Sequence, residues 1–364
     1  MSVIIFIVIL AVLILVHEFG HFIVAKKNGV RVDEFGLGLP PKIFGIKKGE
    51  TEYTLNWIPF GGFVRIFGEN PDDESVKGPD SSRSLVNKSP WVQALILVAG
   101  VSFNIIFAWI LLSISFMSGF PASTGFSEAG DIANARVVVL DVMEGSPAED
   151  AGISVGDAIL FLDSKTSSLQ ENINVNLVSD FIRDSNGSSV TVLFERDGDI
   201  QTTIVTPAEG VVEGRYAIGI TMDMIGMLKL SPPEAIWEGG RMTIQLIGAV
   251  AVGFGSLIVG VFTGSADFAN ISGPIGIAGL VDNAAAFGFI YLLGFTAFIS
   301  INLAVLNLMP FPALDGGRLL FLLIEGIKGS KIKHTTANIL NGIGFALLMI
   351  LMFIVTIQDI VKLF

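Results

Sequence analysis

Cysteine is absent from all 364 residues of this chain, and only 15% of the residues are Asp, Glu, Lys or Arg. The lack of cysteine excludes disulfide bonds, thiolate metal sites and a cysteine nucleophile. An ordinary soluble domain has roughly 25% charged residues, so this chain is short of side chains that face water. Its 22 basic residues are scattered among 34 acidic ones, which argues against nucleic acid as a partner.

Long apolar runs take the place of the missing charge. Hydrophobic residues make up 51% of the chain, and its mean hydropathy is +0.70. Four runs are long enough to cross roughly 30 Å of hydrocarbon as helices; they cover residues 2–25, 91–120, 287–309 and 337–360. The first run has no clear signal-peptide cleavage site, so we expect it to be retained. The fold class predicted is a polytopic α-helical membrane protein with four transmembrane helices.

The basic residues predict how these helices are oriented. Most of them lie in residues 26–90 and in the short segment between the last two runs. The positive-inside rule places both segments in the cytoplasm and both chain termini outside. Residues 121–230 then face the exterior of the cytoplasmic (inner) membrane.

The exterior segment contains a region, residues 127–222, with the pattern of a small α+β domain. Turn signals rich in Gly, Ser, Asn and Asp separate its predicted elements. Strands are expected over 135–142, 158–163, 189–196 and 200–206, and a helix over 177–183. The Gly-Ser-Pro-Ala turn at 145–148 and the Gly-Asp turn at 156–157 resemble those of a PDZ domain.

This resemblance implies that Tyr216, Ile218 and Gly219 belong to the peptide-binding loop of the circularly permuted bacterial form. PDZ domains bind a peptide as an added strand, often by its terminal carboxylate. The implied partner is a peptide or the tail of a truncated substrate. A small β domain that acts as a spacer or plug is the alternative.

Histidine is also scarce, because only three occur and two of them form His17-Glu18-Phe19-Gly20-His21. Positions i and i+4 share a face of a helix, so both imidazoles can bind one metal ion. Glu18 lies beside the first ligand and can take a proton from a water that the metal activates. Ionisable groups inside an apolar helix are costly without a partner. The pattern predicts one Zn²⁺ per chain, and a polar contact between helices is the alternative.

A catalytic zinc site needs a third protein ligand, and Asp315 is the best candidate. It follows the third apolar run, where prolines 310 and 312 interrupt the helix. The backbone groups freed by such a break are tolerated in lipid only where they line a protein cavity. The alternative makes Asp315 an N-cap for a helix that begins near Gly317. His334, beside two lysines, fits an interfacial loop better than a metal site.

Three motifs together resemble the site-2 protease family of intramembrane zinc metalloproteases, of the regulator-of-sigma-E-protease type. They are HEFGH in the first run, the PDZ-like region after the second, and NLMPFPALDGG at the end of the third. The resemblance spans essentially the whole chain. It implies zinc ligation by His17, His21 and Asp315, with Glu18 as the general base. Asn307 and Pro310 match family positions associated with substrate handling.

The family's activity implies hydrolysis of peptide bonds within the transmembrane helices of single-span membrane proteins. Such substrates include anti-sigma factors and remnant signal peptides, cut by regulated intramembrane proteolysis on the cytoplasmic side of the bilayer. A non-catalytic membrane adaptor that binds protein tails is one rival, although structural zinc would not need Glu18. A metal transporter is another, but it should carry polar residues along several spans.

Two further segments are expected to contact the membrane. Residues 53–67 predict a β-hairpin that turns at 59–62, and the family places such a hairpin beside the active site. It could pair with unwound substrate or be a plain surface hairpin. The apolar run 242–263, within 232–285, is expected to lie along or dip into the outer leaflet. A single crossing there would put Asp315 on the opposite side of the membrane from His17.

These expectations divide the chain into four parts. Residues 1–120 and 286–364 form the two halves of the membrane domain, with the hairpin inside the cytoplasmic loop 26–90 and the LDG motif at 314–316. Residues 127–222 form the PDZ domain. Residues 232–285 form a membrane-associated amphipathic or re-entrant segment.

Overall fold

The computed structural model describes residues 2–70, 72–124, 133–165, 167–170, 172–196, 198–212, 214–265 and 272–362. The chain divides into two compact units. A membrane unit comprises Met1–Ser113, Ile236–Ala285 and Leu292–Phe364, and a β unit comprises Ile114–Ala235 and Ala286–Tyr291. The first residues of the predicted PDZ domain, 127–132, lie outside the described residues.

Helices account for most of the membrane unit. In chain order, the α-helices of the described chain are α1 Ser2–Lys27, α2 Asp73–Lys77, α3 Pro90–Ser118, α4 Pro147–Asp150, α5 Val175–Asp184, α6 Pro232–Thr263, α7 Pro274–Ala286, α8 Phe289–Leu308, α9 Asp315–Lys328 and α10 His334–Lys362. Five of them, α1, α3, α6, α8 and α10, are long and apolar enough to cross a membrane.

Four of these five helices coincide with the four predicted spans. The fifth candidate, Pro232–Val261 in α6, falls in the segment expected to stay in the outer leaflet. Helix α6 is continuous through Thr263, so the run 242–263 contains no re-entrant turn. Its position relative to the bilayer stays a prediction.

Helix α8 lies at the centre of the membrane unit, because it contributes to two apolar clusters. In the first, Phe6 and Leu13 of α1 pack with Val281 of α7 and Ile299 of α8. The second cluster joins α8 to α3 and α6. Its members include Ala108 and Leu112 of α3, Val250 of α6, and Ala297 and Ile301 of α8. Packing on both sides fixes the direction in which the end of α8 approaches α1.

The membrane unit also contains a small sheet between α1 and α3. Strands β1 Val32–Lys48 and β2 Thr51–Ile66 pair antiparallel, and each bends near its middle. The register gives four segments in the order 42–48, 51–58, 32–39 and 62–66, since Phe35 pairs with both Tyr53 and Val64. Residues 26–90 therefore contain a β-hairpin, which turns between Lys48 and Thr51.

The predicted hairpin, in which 53–58 pairs with 63–67 across a turn at 59–62, is wrong because residues 32–39 lie between these two segments. The sequence of this central segment is a poor predictor of a strand, because Gly36 and Gly38 lie within it and two prolines, residues 40 and 41, follow it, and both residue types weaken β propensity. Space explains Gly36: a Cβ there would lie 2.5 Å from the Phe63 ring and 2.9 Å from Thr54 Oγ1. Side chains of both flanking segments cover the central one.

The β unit is a mixed domain with its own core. Its strands are β3 Phe120–Ser123, β4 Ala133–Val142, β5 Ala158–Asp163, β6 Ser168–Leu169, β7 Val190–Arg196, β8 Asp199–Val205, β9 Ala208–Val212, β10 Arg215–Ala217 and β11 Ile220–Leu228. The main sheet has the order β3-β11-β4-β5-β7-β8. Val139, Leu162 and Phe194 from the sheet pack against Val178 and Ile182 of α5. The predicted strands and helix of this region are confirmed to within two residues at most ends.

Candidate metal centre

Helix α1 carries three of the candidate site residues on one turn. His17 and His21 are both buried, and their Nε2 atoms lie 3.1 Å apart. The spacing of four residues places the two rings on one face of the helix, as expected. The Nδ1–H of His21 donates to the Ile96 carbonyl of α3 at 2.8 Å, which leaves Nε2 free to bind a metal.

Asp315 reaches this pair from the other end of the chain. Its Oδ2 lies 3.1 Å from His17 Nε2 and 3.3 Å from His21 Nε2. Asp315 is the first residue of α9, the N-cap position is Leu314, and that cap makes no side-chain hydrogen bond. The alternative reading of Asp315 as a helix N-cap is therefore wrong, because its carboxylate faces the imidazoles.

A break between α8 and α9 brings Asp315 to this position. The chain turns through 309–314, where Ala313 adopts a φ of +78°, a region that non-glycine residues rarely occupy. The following glycines permit the close packing of the turn. A Cβ on Gly316 would lie 2.2 Å from the Leu308 carbonyl oxygen, and one on Gly317 would lie 2.2 Å from that of Phe311. The LDGG sequence thus allows the sharp break.

An ion pair anchors α9 one turn beyond its first residue. Arg318 Nη1 lies 2.5 Å from Oε1 of Glu69, a residue just after the end of β2. Arg318 Nη2 also lies 3.5 Å from the Asn70 side-chain oxygen. These contacts join the sheet to the helix that carries Asp315.

The three donor atoms fit a zinc ion. Atoms 3.1–3.3 Å apart can all lie at zinc's bond length of ~2.0–2.2 Å from one point. Two imidazole nitrogens and a carboxylate oxygen are also the ligand types that zinc prefers. Space beside the rings is kept free by Gly100, since a Cβ there would lie 2.3 Å from His21 Nε2 and 2.8 Å from His17 Cε1.

A cavity of about 230 Å³ opens beside this cluster. Its polar lining consists of His17, Glu18, Asn104, Asn307 and Asp315, and its apolar lining consists of Ile14, Leu303, Ala313 and Leu314. The Val64 N–H, on an edge segment of the small sheet, donates to Glu18 Oε2 at 3.0 Å. The sheet thereby holds the carboxylate at the wall of the cavity.

The remaining predicted site residues fall in two places. Asn307 lines the cavity, whereas Pro310 is exposed in the α8–α9 break and does not line it. Tyr216, Ile218 and Gly219 belong to the β unit. Tyr216 donates to Glu209, whose carboxylate raises the pKa of the Tyr216 hydroxyl. Ile218 is buried in the core of that unit.

The loop at 218–219 is tied to the Gly-Ser-Pro-Ala turn. The Ile218 carbonyl accepts from Ala148 N–H and the Gly219 carbonyl accepts from Met143 N–H, both at 2.9 Å. Gly219 has a φ of +83°, and a Cβ there would lie 2.4 Å from Ser146 Cβ. Glycine is therefore required where the loop crosses the turn.

Sequence reasoning assigned no role to three contributors to the site. Ala99-Gly100 and Asn104 in the second span fall where the site-2 protease family has related residues, but the sequence does not show what they do. Their roles depend on how α3 packs against α1, which local patterns do not reveal. The Val64 N–H gives no sequence signal at all, because any residue except proline carries this donor.

Comparison with known proteins decides the family. The sequence of residues 5–351 matches the family model of peptidase family M50. The chain belongs to peptidase family M50. This is the site-2 protease family that the sequence motifs resemble, so that identification is confirmed.

Relatives of this M50 chain match it over nearly its whole length. A protein of Clostridium perfringens named as a zinc metalloprotease is 38% identical over 350 residues, which cover 96% of this chain and 95% of the relative. The zinc metalloprotease RasP of Geobacillus kaustophilus is 30% identical over 428 residues, covering 100% and 98%. A protein of Nostoc sp. named as a zinc metalloprotease is 34% identical over 354 residues, which cover 96% of this chain and 93% of the relative.

These findings establish the class of protein. The M50 chain is a zinc metalloprotease and a multi-pass membrane protein with an inserted β domain, and its cofactor is Zn²⁺. Membership of a membrane protease family also makes the lipid bilayer and membrane substrates its partners.

Proposed function

We propose that this M50 protease hydrolyses peptide bonds within the transmembrane helices of single-span membrane proteins. His17, His21 and Asp315 are the proposed zinc ligands and Glu18 the proposed general base. One observation carries the proposal. Residues 298 positions apart converge beside Glu18 at a cavity that is otherwise lined by apolar side chains and Asn residues.

The chemistry follows from the donor set. A zinc ion held by these three residues supplies a Lewis acid that polarises a carbonyl and lowers the pKa of a water molecule. Glu18 is not among the three converging donors, so its carboxylate is free to accept a proton from that water and to deliver it to the leaving nitrogen. Asn307 lines the same cavity and can donate a hydrogen bond to the oxygen that gains negative charge.

The substrate helix must unwind before its peptide bonds become accessible, and the small sheet offers replacement hydrogen bonds. Segment 62–66 is an edge of that sheet and contacts Glu18 through Val64. We propose that unwound substrate pairs with this edge by strand addition. Single prolines along 62–66 should slow cleavage without loss of zinc. Single prolines along the opposite edge, 42–48, should leave the cleavage rate unchanged. Equal rates for both sets would contradict this pairing.

The proposed topology has four crossings, with the metal centre towards the cytoplasm. Helices α1 and α8 run parallel, since residues 5–13 pack with 292–303 and the cavity then joins Ile14 and His17 to Leu303 and Asn307. Helix α10 runs the opposite way. Its Asn341 accepts a hydrogen bond from the Ala313 N–H at the level of the break.

The far end of α10 supports an even number of crossings before α8. Asp359, about 27 Å along the helix from Asn341, accepts hydrogen bonds from Gly273 N–H at 3.1 Å and Gly276 N–H at 2.8 Å. Helix α7 therefore begins at the exterior end of α10. If the β unit is also exterior, the chain crosses the membrane an even number of times between the β unit and Gly273.

Single-cysteine labelling tests this topology cleanly, because the native chain has no cysteine. An impermeant maleimide on intact spheroplasts should label Ser188→Cys in the β unit and Ser265→Cys just after α6. Ser82→Cys, in the predicted cytoplasmic loop, should react only after permeabilisation. If Ser265→Cys behaves like Ser82→Cys, α6 crosses the membrane and the four-span topology is wrong.

The inserted β domain is proposed to be a PDZ domain that receives a peptide or a truncated substrate tail. Support comes from the order of its strands and helices and from the loop 216–219, which is tied to the Gly-Ser-Pro-Ala turn. Titration with peptides ending in a free carboxylate or in an amide is the test. Equal affinity for both forms would contradict recognition of a chain terminus.

The activity itself is tested with purified protein in liposomes and a single-span substrate. Wild type should cleave within the transmembrane segment, and a chelator should stop cleavage until zinc is restored. Glu18→Gln should keep one zinc per chain but lose cleavage. If Glu18→Gln cleaves like wild type, the proposed general base is wrong. If wild type binds the substrate tail but never cleaves, the chain is an adaptor.

A further inference from the structure

Asn104 of α3 is buried in an unusual way. Its side chain is completely inaccessible, and neither carboxamide atom, Oδ1 nor Nδ2, has a hydrogen-bond partner among the described residues. Buried polar groups in native proteins are nearly always paired, because an unpaired one loses its bonds to water and gains none in return. The unpaired carboxamide of Asn104 therefore points to a ligand that it binds.

Other polar side chains in α3 and α8 donate hydrogen bonds to backbone carbonyls of their own helix. Ser113 Oγ donates to the Trp109 carbonyl, Thr296 Oγ1 to the Leu292 carbonyl, and Asn302 Nδ2 to the Phe298 carbonyl. Asn302 is the closest comparison, since it is also an asparagine in an apolar helix. Its amide turns back to its own helix, whereas the amide of Asn104 does not.

The position of Asn104 identifies where its ligand must lie. Asn104 lines the 230 Å³ cavity together with His17, Glu18 and Asp315. Its backbone is fixed there, because its carbonyl accepts a hydrogen bond from Ser300 Oγ of α8 at 2.9 Å and both residues are buried. The backbone of Asn104 is thus held at the wall of this cavity, and its buried carboxamide has no other partner among the described residues.

A carboxamide offers two N–H donors and one carbonyl acceptor, which is the complement of a peptide group. We propose that Asn104 binds a peptide group of the substrate next to the scissile bond, donating from Nδ2 to a carbonyl and accepting at Oδ1 from an N–H. An unwound helix presents such groups without partners, in surroundings of low dielectric where a hydrogen bond is strong. This inference rests on the proposed function and adds a substrate-binding residue to it.

The direct test replaces the side chain by one of similar shape without hydrogen-bonding atoms. Asn104→Leu should lower kcat/KM for a single-span substrate by about 10- to 100-fold, the effect expected from losing two hydrogen bonds. Zinc content per chain should stay at the wild-type level. Asn302→Leu is the matched control, and its kcat/KM should stay within about twofold of wild type.

Backbone ester substitution in the substrate separates binding from a structural role. An ester oxygen cannot donate, so replacing the peptide group that pairs with Oδ1 should lower wild-type kcat/KM by about 3- to 10-fold. At that position the same ester should have no effect on Asn104→Leu. If Asn104→Leu does not fold, Asn104→Ser, whose hydroxyl is too short to reach the same atoms, replaces it in both measurements.

A third measurement does not depend on cleavage. In the Glu18→Gln background, Asn104→Leu should weaken binding of intact substrate by about tenfold. The two proposals fail in different ways. If Glu18 is not the general base, Glu18→Gln still cleaves substrate, but the binding difference between Asn104 and Asn104→Leu is unaffected. The inference is overturned if kcat/KM of Asn104→Leu stays within twofold of wild type, if zinc is lost in proportion to activity, or if no ester position distinguishes the two chains. The carboxamide would then bind only ordered water.

Discussion

The two units of this M50 protease treat buried polar groups differently. In the β unit, Asp157 is wholly buried, but its carboxylate accepts from Arg196 Nε at 2.7 Å and from Ser154 N–H at 2.8 Å. In the membrane unit, three of the four unpaired buried side-chain atoms among the described residues belong to His17 and Asn104. Among the described residues, no unpaired buried side-chain atom lies in the β unit, whereas three in the membrane unit belong to residues that line one cavity.

The units also differ in where their apolar side chains go. The core of the β unit is closed, with residues such as Val139, Val178 and Val190 fully inaccessible. The membrane unit leaves large side chains outside, including Trp91 at 86% and Trp57 at 68% exposure. Lipid, rather than protein, covers such surfaces in a membrane protein. Changes at the metal centre and changes in the β unit should therefore have separable effects.

The largest separation is expected from Asp315→Ala. Loss of one of three ligands should remove nearly all zinc and lower cleavage by roughly a thousandfold or more. Amide hydrogen exchange in the β unit should stay at the wild-type level. Asp141→Ala, an exposed aspartate in β4, is the control and should keep both zinc and activity. Full zinc occupancy in Asp315→Ala would contradict the ligand assignment.

A smaller effect on the same centre is expected from Gly100→Ala. The added Cβ would lie 2.3 Å from His21 Nε2, so either α3 or the imidazole must shift. We expect zinc affinity and cleavage to fall by about 10- to 100-fold, as for other changes that displace a metal ligand. Gly248→Ala on α6 should change neither, because a Cβ there would have no described atom within 4 Å beyond its chain neighbours and the nearby backbone of its own helix. Zinc titration of both variants decides the matter.

Asp157→Ala is expected to affect the β unit and to leave the metal centre unchanged. Removing this buried carboxylate breaks its ion pair with Arg196 and takes away the acceptor of the Ser154 N–H, at a cost of about 3 kcal/mol to the free energy of unfolding of the β unit. Hydrogen exchange in β5 and β7 should accelerate, while zinc content stays at one per chain. Asp163→Ala, exposed at the end of β5, should change neither. Zinc loss in Asp157→Ala would show that the two units are not separable.

The smallest effect concerns Glu50, in the turn between β1 and β2. Lys26 donates to its carboxylate and Arg83 pairs with it, and these contacts lower the pKa of Glu50. A carboxyl group with a lowered folded pKa stabilises the fold above its unfolded pKa, near 4.3, and this contribution disappears as pH falls through the folded value.

Glu50→Gln should therefore lower stability at pH 7 by about 0.5–1 kcal/mol, and the difference from wild type should vanish towards pH 3. Thermal unfolding in detergent at both pH values measures it. Glu74→Gln, an exposed glutamate in α2, should show no such dependence. A difference that persists at pH 3 would mean that packing, not charge, is responsible.

Much of the fold was predictable because it depends on local patterns. Long apolar runs predict α1, α3, α8 and α10, since lipid requires backbone groups to be satisfied within a helix. Alternating strands and Gly-rich turns predict β4, β5, β7 and β8. The sheet beside α1 was only partly predictable. Its central segment carries Gly36 because of side chains from both neighbours, and neighbours in space are not visible in a local pattern.

The candidate site divides in the same way. His17 and His21 share a helix face whatever the rest of the chain does, because their spacing alone brings them together. The break before Asp315 follows from its prolines. Other features of the site depend on how α3 and the small sheet pack against α1. Gly100 leaves room beside the imidazoles, Val64 holds Glu18, and Asn104 lines the cavity.

By itself, the sequence determined a membrane-spanning chain with a paired-histidine motif and a helix break that carries a carboxylate, because helix periodicity and the demands of lipid act over a few turns. Only the tertiary structure decided that His17 and Asp315, 298 positions apart, meet at one point. That meeting depends on the packing of α1, α3 and α8, and contacts between segments so distant in the chain have no local signature.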